Sequence, residues 1–235
     1  MPNGARSRSR IATLVARFSG RSATLISMSS PPAYQPMLAV GGPVYGHEDD
    51  YAFEPKWDGW RALATVGDEG VEVRTRTGRL VTAAVPEFAA LAAQLDGRPA
   101  VLDGELVAHE GTPATFYRLG GRMATASPAR RRLVPLTFVV FDVLWLDGDV
   151  THRPYRERRV LLEELRLAGP AWCTSPSYPG SGAELFAACA RLGLEGVVAK
   201  RLDGRYHPGR RSDVWIKAKC PAWTAGHARL RQRRH

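Results

Sequence analysis

The chain has 235 residues, is 44% hydrophobic, and carries a formal net charge of +10 and three cysteines. That allows one large domain or two small ones around a real core. No apolar run approaches the ~20 residues that span a bilayer, and the scattered Cys173, Cys189 and Cys220, with no C-x-x-C, argue against a disulfide scaffold or a zinc site and for a reducing cytoplasm. The charge points to polyanions, but its excess lies at the ends. Residues 1–27 hold five arginines and no acid, residues 220–235 hold four and no acid, and 24 basic groups face 23 acidic ones between them.

Residues 1–33, rich in Arg, Ser, Gly and Pro, read as a disordered basic tail, with Met28 as an alternative start. After an acidic patch, Glu48-Asp49-Asp50, the stretches YAFEPKWDGWRALATV (51–66) and GVEVRTRTG (70–78) alternate as strands about the hairpin signal GDEG. VPEFAALAAQLDG (85–97) predicts a helix with Pro86 in its first turn and Phe88, Leu91, Ala92 and Leu95 on one face. AVLDGELVAH (100–109) is a strand, MATASPARRR (123–132) a basic loop, and LTFVVFDVLWLDG (136–148) a strand apolar on both faces, hence interior. Helices follow at 155–169 and 182–193, strands at 195–202 and 213–219, and a short basic tail at 220–235. Strands dominate, with helices between groups of them, which argues an α+β fold with largely antiparallel sheets.

EPKWDGWR (54–61) sets Glu54, Lys56, Asp58 and Arg61 within eight positions, with tryptophans at 57 and 60 and a glycine at 59. A lysine becomes an amine nucleophile when neighbouring cations and desolvation lower its pKa. Arg61, folded back across Gly59, and a dry wall of Trp57 and Trp60 would do both; a surface lysine beside an arginine is the plainer reading. Asp103 and Glu105 are two apart and share one side of a strand, as a polar sheet face or as ligands. Phe141 suits the core or a stacked base, and Arg76 an exposed hairpin or a phosphate. Between Lys200 and Lys219 seven cations meet two acids, a cluster suited to triphosphate or a nucleic-acid backbone.

Lys56 to Arg61 match K-x-D-G-x-R, and in this the chain resembles the covalent nucleotidyltransferases, above all the bacterial ATP-dependent DNA ligases. Further motifs of that family follow in order: RTRTG (74–78), LDGEL (102–106), FVVFDVLWLDG (138–148), EGVVAK (195–200) and WIKAK (215–219). The resemblance implies an ATP-grasp-like nucleotidyltransferase (adenylation) domain over residues 34–219. It also implies that Lys56 attacks the α-phosphorus of ATP, forms a lysyl-AMP, passes AMP to the 5′-phosphate of nicked double-stranded DNA, and lets the 3′-hydroxyl displace it. By the same resemblance Glu54 reads the adenine amino group, Arg61, Arg76, Arg211, Lys217 and Lys219 contact the nucleotide, and Glu105 meets the ribose. Phe141 stacks the purine, and Glu195, with Glu105 second, holds Mg²⁺ or Mn²⁺. Asp58 serves the turn or the later steps, and Lys200 falls by alternation on the face opposite Glu195, in solvent.

Family ligases continue into an OB-fold domain, and the sixteen residues after Lys219 cannot build that barrel. The expectation is a domain with no C-terminal OB-fold, read as a minimal enzyme served by a separate OB-fold or repair partner protein, as a truncated product, or as a fragment of a larger ligase, with no membrane association and a cytoplasmic, nucleoid-associated place in a bacterium. An RNA ligase or capping-type enzyme, and a non-catalytic nucleotide- or DNA-binding relic, are the alternatives.

Overall fold

A computed structural model describes residues 30–43, 48–108, 115–124 and 128–232. The tail expected at 1–33 therefore lies almost wholly outside the described residues. Among the described residues there are ten strands: β1 (Leu38–Gly41), β2 (Tyr51–Pro55), β3 (Trp60–Gly67), β4 (Gly70–Thr75), β5 (Ala100–Ala108), β6 (Leu136–Leu146), β7 (Trp172–Thr174), β8 (Tyr178–Pro179), β9 (Gly196–Arg201) and β10 (Arg211–Lys219). They form two five-stranded sheets, ordered β1-β10-β9-β2-β8 and β4-β3-β5-β6-β7. Only the β1–β10 and β6–β7 pairings among these strands are parallel. The helices are α1 (Leu91–Gln94), α2 (Thr115–Ala124), α3 (Pro128–Leu133), α4 (Tyr155–Glu164), α5 (Gly182–Arg191) and α6 (Pro221–Gln232). This is the α+β architecture expected from the pattern.

Two hydrophobic clusters explain the layering. The larger lies on one face of the second sheet and gathers Ala64, Leu102, Leu106, Phe138 and Val140 with Phe88, Leu91, Leu119 and Leu162 from the helices. The smaller joins the sheets, from Met37, Leu63, Val101, Phe141, Leu144, Trp145, Tyr206 and Trp215. Strand β6 feeds both, which is why its sequence is apolar on both faces.

The apparent single strand of 51–66 is two strands on different sheets. It breaks at residues 56–59, where the chain crosses from β2 to β3. Gly59 is needed in that crossing, because a Cβ there would lie 2.1 Å from the Leu106 carbonyl oxygen.

Three segments differ from their predicted form. Residues 86–90 form a 3₁₀ helix and only 91–94 an α-turn. Phe88 and Leu91, three apart, are both fully buried, a spacing that suits three residues per turn. The basic segment 123–132 falls largely on the end of α2 and the start of α3, which opens at Pro128, and is not a loop over those described residues. Residues 221–232 form α6, whose Trp223 packs against Cys189, Val197 and Cys220. The acidic patch is structural in part: the Glu48 carboxylate accepts a hydrogen bond from the Gly182 N–H at the start of α5, at 3.1 Å, where a negative charge is favoured.

Candidate functional site

Lys56 sits in the crossing between the sheets. Its N–H donates to the Gly196 carbonyl, 2.8 Å away, while the neighbouring Trp57 indole donates to the fully buried Ser175 hydroxyl at 3.0 Å. One sheet and one inter-sheet strap thus hold the lysine backbone. Its Nζ lies 2.5 Å from Glu195 Oε2, and Lys219 Nζ lies 2.7 Å from Glu195 Oε1. Glu195 is buried and shared by two ammonium groups.

In front of Lys56 a pocket opens between the sheets. Glu54, Lys56, Arg61, Arg76, Glu105, Phe141, Arg211 and Lys217 all line it. Eight of the ten residues given a catalytic, nucleotide or metal role by the resemblance therefore share one cavity; the other two, Glu195 and Lys219, lie outside its lining, with Glu195 paired to Lys56. Trp57 forms part of the wall. Trp60 does not; it packs against the larger core and faces an adjacent depression.

Arg61 is locked. Its Nε and Nη2 meet Asp103 Oδ1 and Oδ2 at 2.5 and 2.6 Å, and its guanidinium lies 4.5 Å from the Phe141 ring centre. Burial acts to lower its pKa, but the Asp103 carboxylate overrides this and holds it above the ordinary value. Asp103 also accepts from the Tyr206 hydroxyl at 2.6 Å, so it orients Arg61 while Glu105 faces the cavity. Burial pushes the Glu105 carboxyl up to about 7, against the opposing pull of Arg61 and Lys56. Lys217 is lowered, first by burial and then by the cations Lys56, Arg211 and Lys219. Arg211 is exposed and donates to the Ala39 carbonyl at 2.5 Å. Phe141 packs in the inter-sheet cluster and lines the cavity, with the Arg61 guanidinium and the Lys200 ammonium over its ring at 4.5 and 4.6 Å.

Lys200 overturns the expectation of a solvated side chain. It is 1% exposed, lines the same cavity, and donates to the Phe141 carbonyl at 2.7 Å and to Glu54 Oε1 at 2.8 Å. Glu54 Oε1 also accepts from the Tyr155 hydroxyl at 2.6 Å. Burial lowers the Lys200 pKa, with Glu54 opposing. The alternation fails because Glu195 precedes β9, and Gly196, at φ +151°, breaks the pleat between them. The signal available in the sequence was the pair Glu54 and Lys200 in strands that prove to be neighbours.

Among the described residues no group of three or more His, Cys, Asp or Glu could hold a metal ion, and no helix is long and apolar enough to cross a membrane.

A cleft between two largely antiparallel sheets, with a lysine at the crossing and cations opposite, is the architecture of a nucleotidyltransferase, and the chain belongs to the ATP-dependent DNA ligase domain family, whose model matches residues 36–219. It is 40% identical over 191 residues to the multifunctional non-homologous end joining protein LigD of Mycolicibacterium smegmatis, covering 80% of this chain and 24% of that protein. It is 37% identical over 195 residues to a probable DNA ligase of Kineococcus radiotolerans, covering 78% of this chain and 37% of that one. The solved structure of mycobacterial DNA ligase D complexed with ATP and MES superposes with a TM-score of 0.67 at 39% identity, over 79% of this chain and 60% of that chain. The chain thus spans between about a quarter and somewhat over a third of the length of the curated relatives named here.

Proposed function

We propose that this chain carries the nucleotidyl-transferring centre of an ATP-dependent DNA ligase acting on nicked duplex DNA. The observation that carries the proposal is Lys56 Nζ at the mouth of an inter-sheet cavity, backed by the buried Glu195 and faced by Lys217, Arg211 and Phe141. Lys56 gives up a proton to Glu195 Oε2, 2.5 Å away, and as the free amine its Nζ forms a bond to the α-phosphorus of ATP while the bond to the pyrophosphate oxygen breaks and pyrophosphate leaves. Lys217 and Arg211 offset charge developing on the phosphate oxygens. The phosphoramidate then transfers AMP to a 5′-phosphate, and the 3′-hydroxyl displaces AMP. Splitting one condensation into covalent steps lowers each barrier.

Glu195 and Glu105 flank Lys56. Glu105 lines the cavity, whereas both Glu195 oxygens are paired with Lys56 and Lys219; Mg²⁺, which keeps waters and takes phosphate oxygens for much of its shell, would be held through Glu105, and through Glu195 only once Lys56 has released it. Bound there, it would neutralise charge on the leaving pyrophosphate.

The buried end of the cavity offers hydrogen-bonding groups to a base. Lys200 spends two of its three N–H donors on Phe141 and Glu54 and keeps a third. Glu54 keeps Oε2, since the bonds from Lys200 and Tyr155 fall on Oε1. One donor and one acceptor can meet the N1 and 6-amino edge of adenine, the kind of base-edge reading used in nucleobase pockets. The match to the ATP-dependent DNA ligase domain favours an ATP-using ligase over a capping-type GTP enzyme. The basic ends of the chain would add salt-sensitive affinity for DNA, consistent with a cytoplasmic, nucleoid-associated enzyme.

The test is direct. With Mg²⁺ and ATP labelled at the α-phosphate, the denatured wild-type chain should retain label, while Lys56→Ala and labelled GTP should leave none. Label that persists in Lys56→Ala would overturn the assignment.

A further inference from the structure

The family match ends at residue 219, yet the residues just beyond it reach back to the site. Strands β9 and β10 approach so closely at the Gly196–Lys219 pair that a Cβ on Gly196 would lie 2.0 Å from the Ala218 carbonyl oxygen. The Cys220 N–H donates to the Glu195 carbonyl at 2.9 Å. Both the backbone and the carboxylate of Glu195 are thereby tied to the end of β10. Lys219 is absent from the cavity lining, whereas Lys217 is part of it.

An ion pair from a 42% exposed lysine does not by itself fix a long flexible side chain. A second contact does: Lys219 Nζ lies 4.7 Å from the centre of the Trp223 ring. That ring is anchored, because Trp223 packs against Cys189, Val197 and Cys220. Its helix is closed at the start by Thr224, which donates through both N–H and hydroxyl to the Cys220 carbonyl, at 3.1 and 3.2 Å. The negative face of an indole attracts an ammonium group, so Lys219 is gripped between a carboxylate and an aromatic ring.

We infer that Trp223 of α6 is a positioning residue that holds Lys219 on Glu195 and so keeps the Glu195 carboxylate placed beside Lys56. Its consequence for catalysis rests on Lys56 being the nucleophile; the grip itself does not. Helix α6 then completes the site from outside the family segment.

The experiment uses the full chain with Trp223→Leu and Trp223→Phe. Leucine keeps apolar bulk and removes the aromatic face; phenylalanine keeps the face. Without nucleotide, reductive methylation read by peptide mass spectrometry should modify Lys219 about threefold faster in Trp223→Leu, with Lys217 unchanged and Trp223→Phe close to wild type. In lysyl-AMP formation, Trp223→Leu should lower kcat about threefold with KM for ATP unchanged, and phenylalanine should restore it. Equal Lys219 methylation in wild type and Trp223→Leu, or leucine and phenylalanine variants that behave alike, would overturn the inference. Should Trp223→Leu melt far below wild type, Trp223→Met takes its place. A wild-type chain that took no label would remove the nucleophile reading and leave methylation to decide the grip.

Discussion

Lys200 and Glu54 form a buried ion pair, each about 2% exposed. Such a pair is weak as a source of stability but costly to break from one side, because a charge is left behind. Lys200→Met should therefore destabilise the chain by about 3 kcal/mol in urea unfolding at pH 7. Adding Glu54→Gln should recover part of that loss, since the stranded carboxylate is gone. Glu105 behaves differently. Its carboxyl titrates at about 7 in the folded chain against 4.5 for the free group. Between those values the folded state binds more protons than the unfolded one, so its contribution is full below pH 4.5, declines as pH rises, and is lost above 7. In metal-free buffer, Glu105→Gln should unfold like wild type at pH 4.5 and be more stable at pH 8, by up to about 3 kcal/mol. Parallel urea melts at the two pH values check the sign; a variant no more stable at pH 8 than at pH 4.5, relative to wild type, would refute it.

At the scale of the elements, β9 and β10 decide whether the site exists. Gly196 combines φ +151° with a backbone approach that leaves no room for Cβ. Gly196→Ala should separate the strands where Glu195 and Lys219 pair and cost about 2–4 kcal/mol. A thermal melt would show the loss, and a midpoint within a degree of wild type would show that the approach is not obligatory. The same place marks where the sequence stopped being legible. The strands themselves could be read from period-two alternation, and K-x-D-G-x-R identified the nucleophile candidate. Alternation counted from Glu195 put Lys200 in solvent, because period two holds only inside a strand and Glu195 lies outside it. The run 51–66 looked like one strand for a related reason: both halves carry strand patterning, and which sheet each joins is set by partners more than a hundred residues away, Gly196 for Lys56 and Ser175 for Trp57. The helix at 221–232 was hidden by composition, since its basic residues resemble a tail and its one anchoring aromatic, Trp223, gains meaning only from the cluster it meets.

For the molecule as a whole, the cavity belongs to neither sheet. Glu54, Lys200, Arg211 and Lys217 come from the first, Arg61, Glu105 and Phe141 from the second, and Lys56 from the crossing between them. A ligand in the cavity therefore binds only when the sheets are docked, and it stabilises by mass action. ATP at a hundredfold excess over its Kd should add about 2.7 kcal/mol to unfolding, read as a rise in melting midpoint that the Lys56→Ala chain also shows, since binding precedes bond formation. A midpoint indifferent to ATP would argue that the docked sheets do not form a nucleotide site. The crossing has one more consequence. In the proposed reaction AMP becomes joined to Lys56, which would make the ligand part of the chain and its local concentration independent of what is free in solution. Dialysis would strip bound ATP and its stabilisation from the unreacted protein but not from the adenylated one, so the charged intermediate would persist as a separately tethered and storable form of the enzyme.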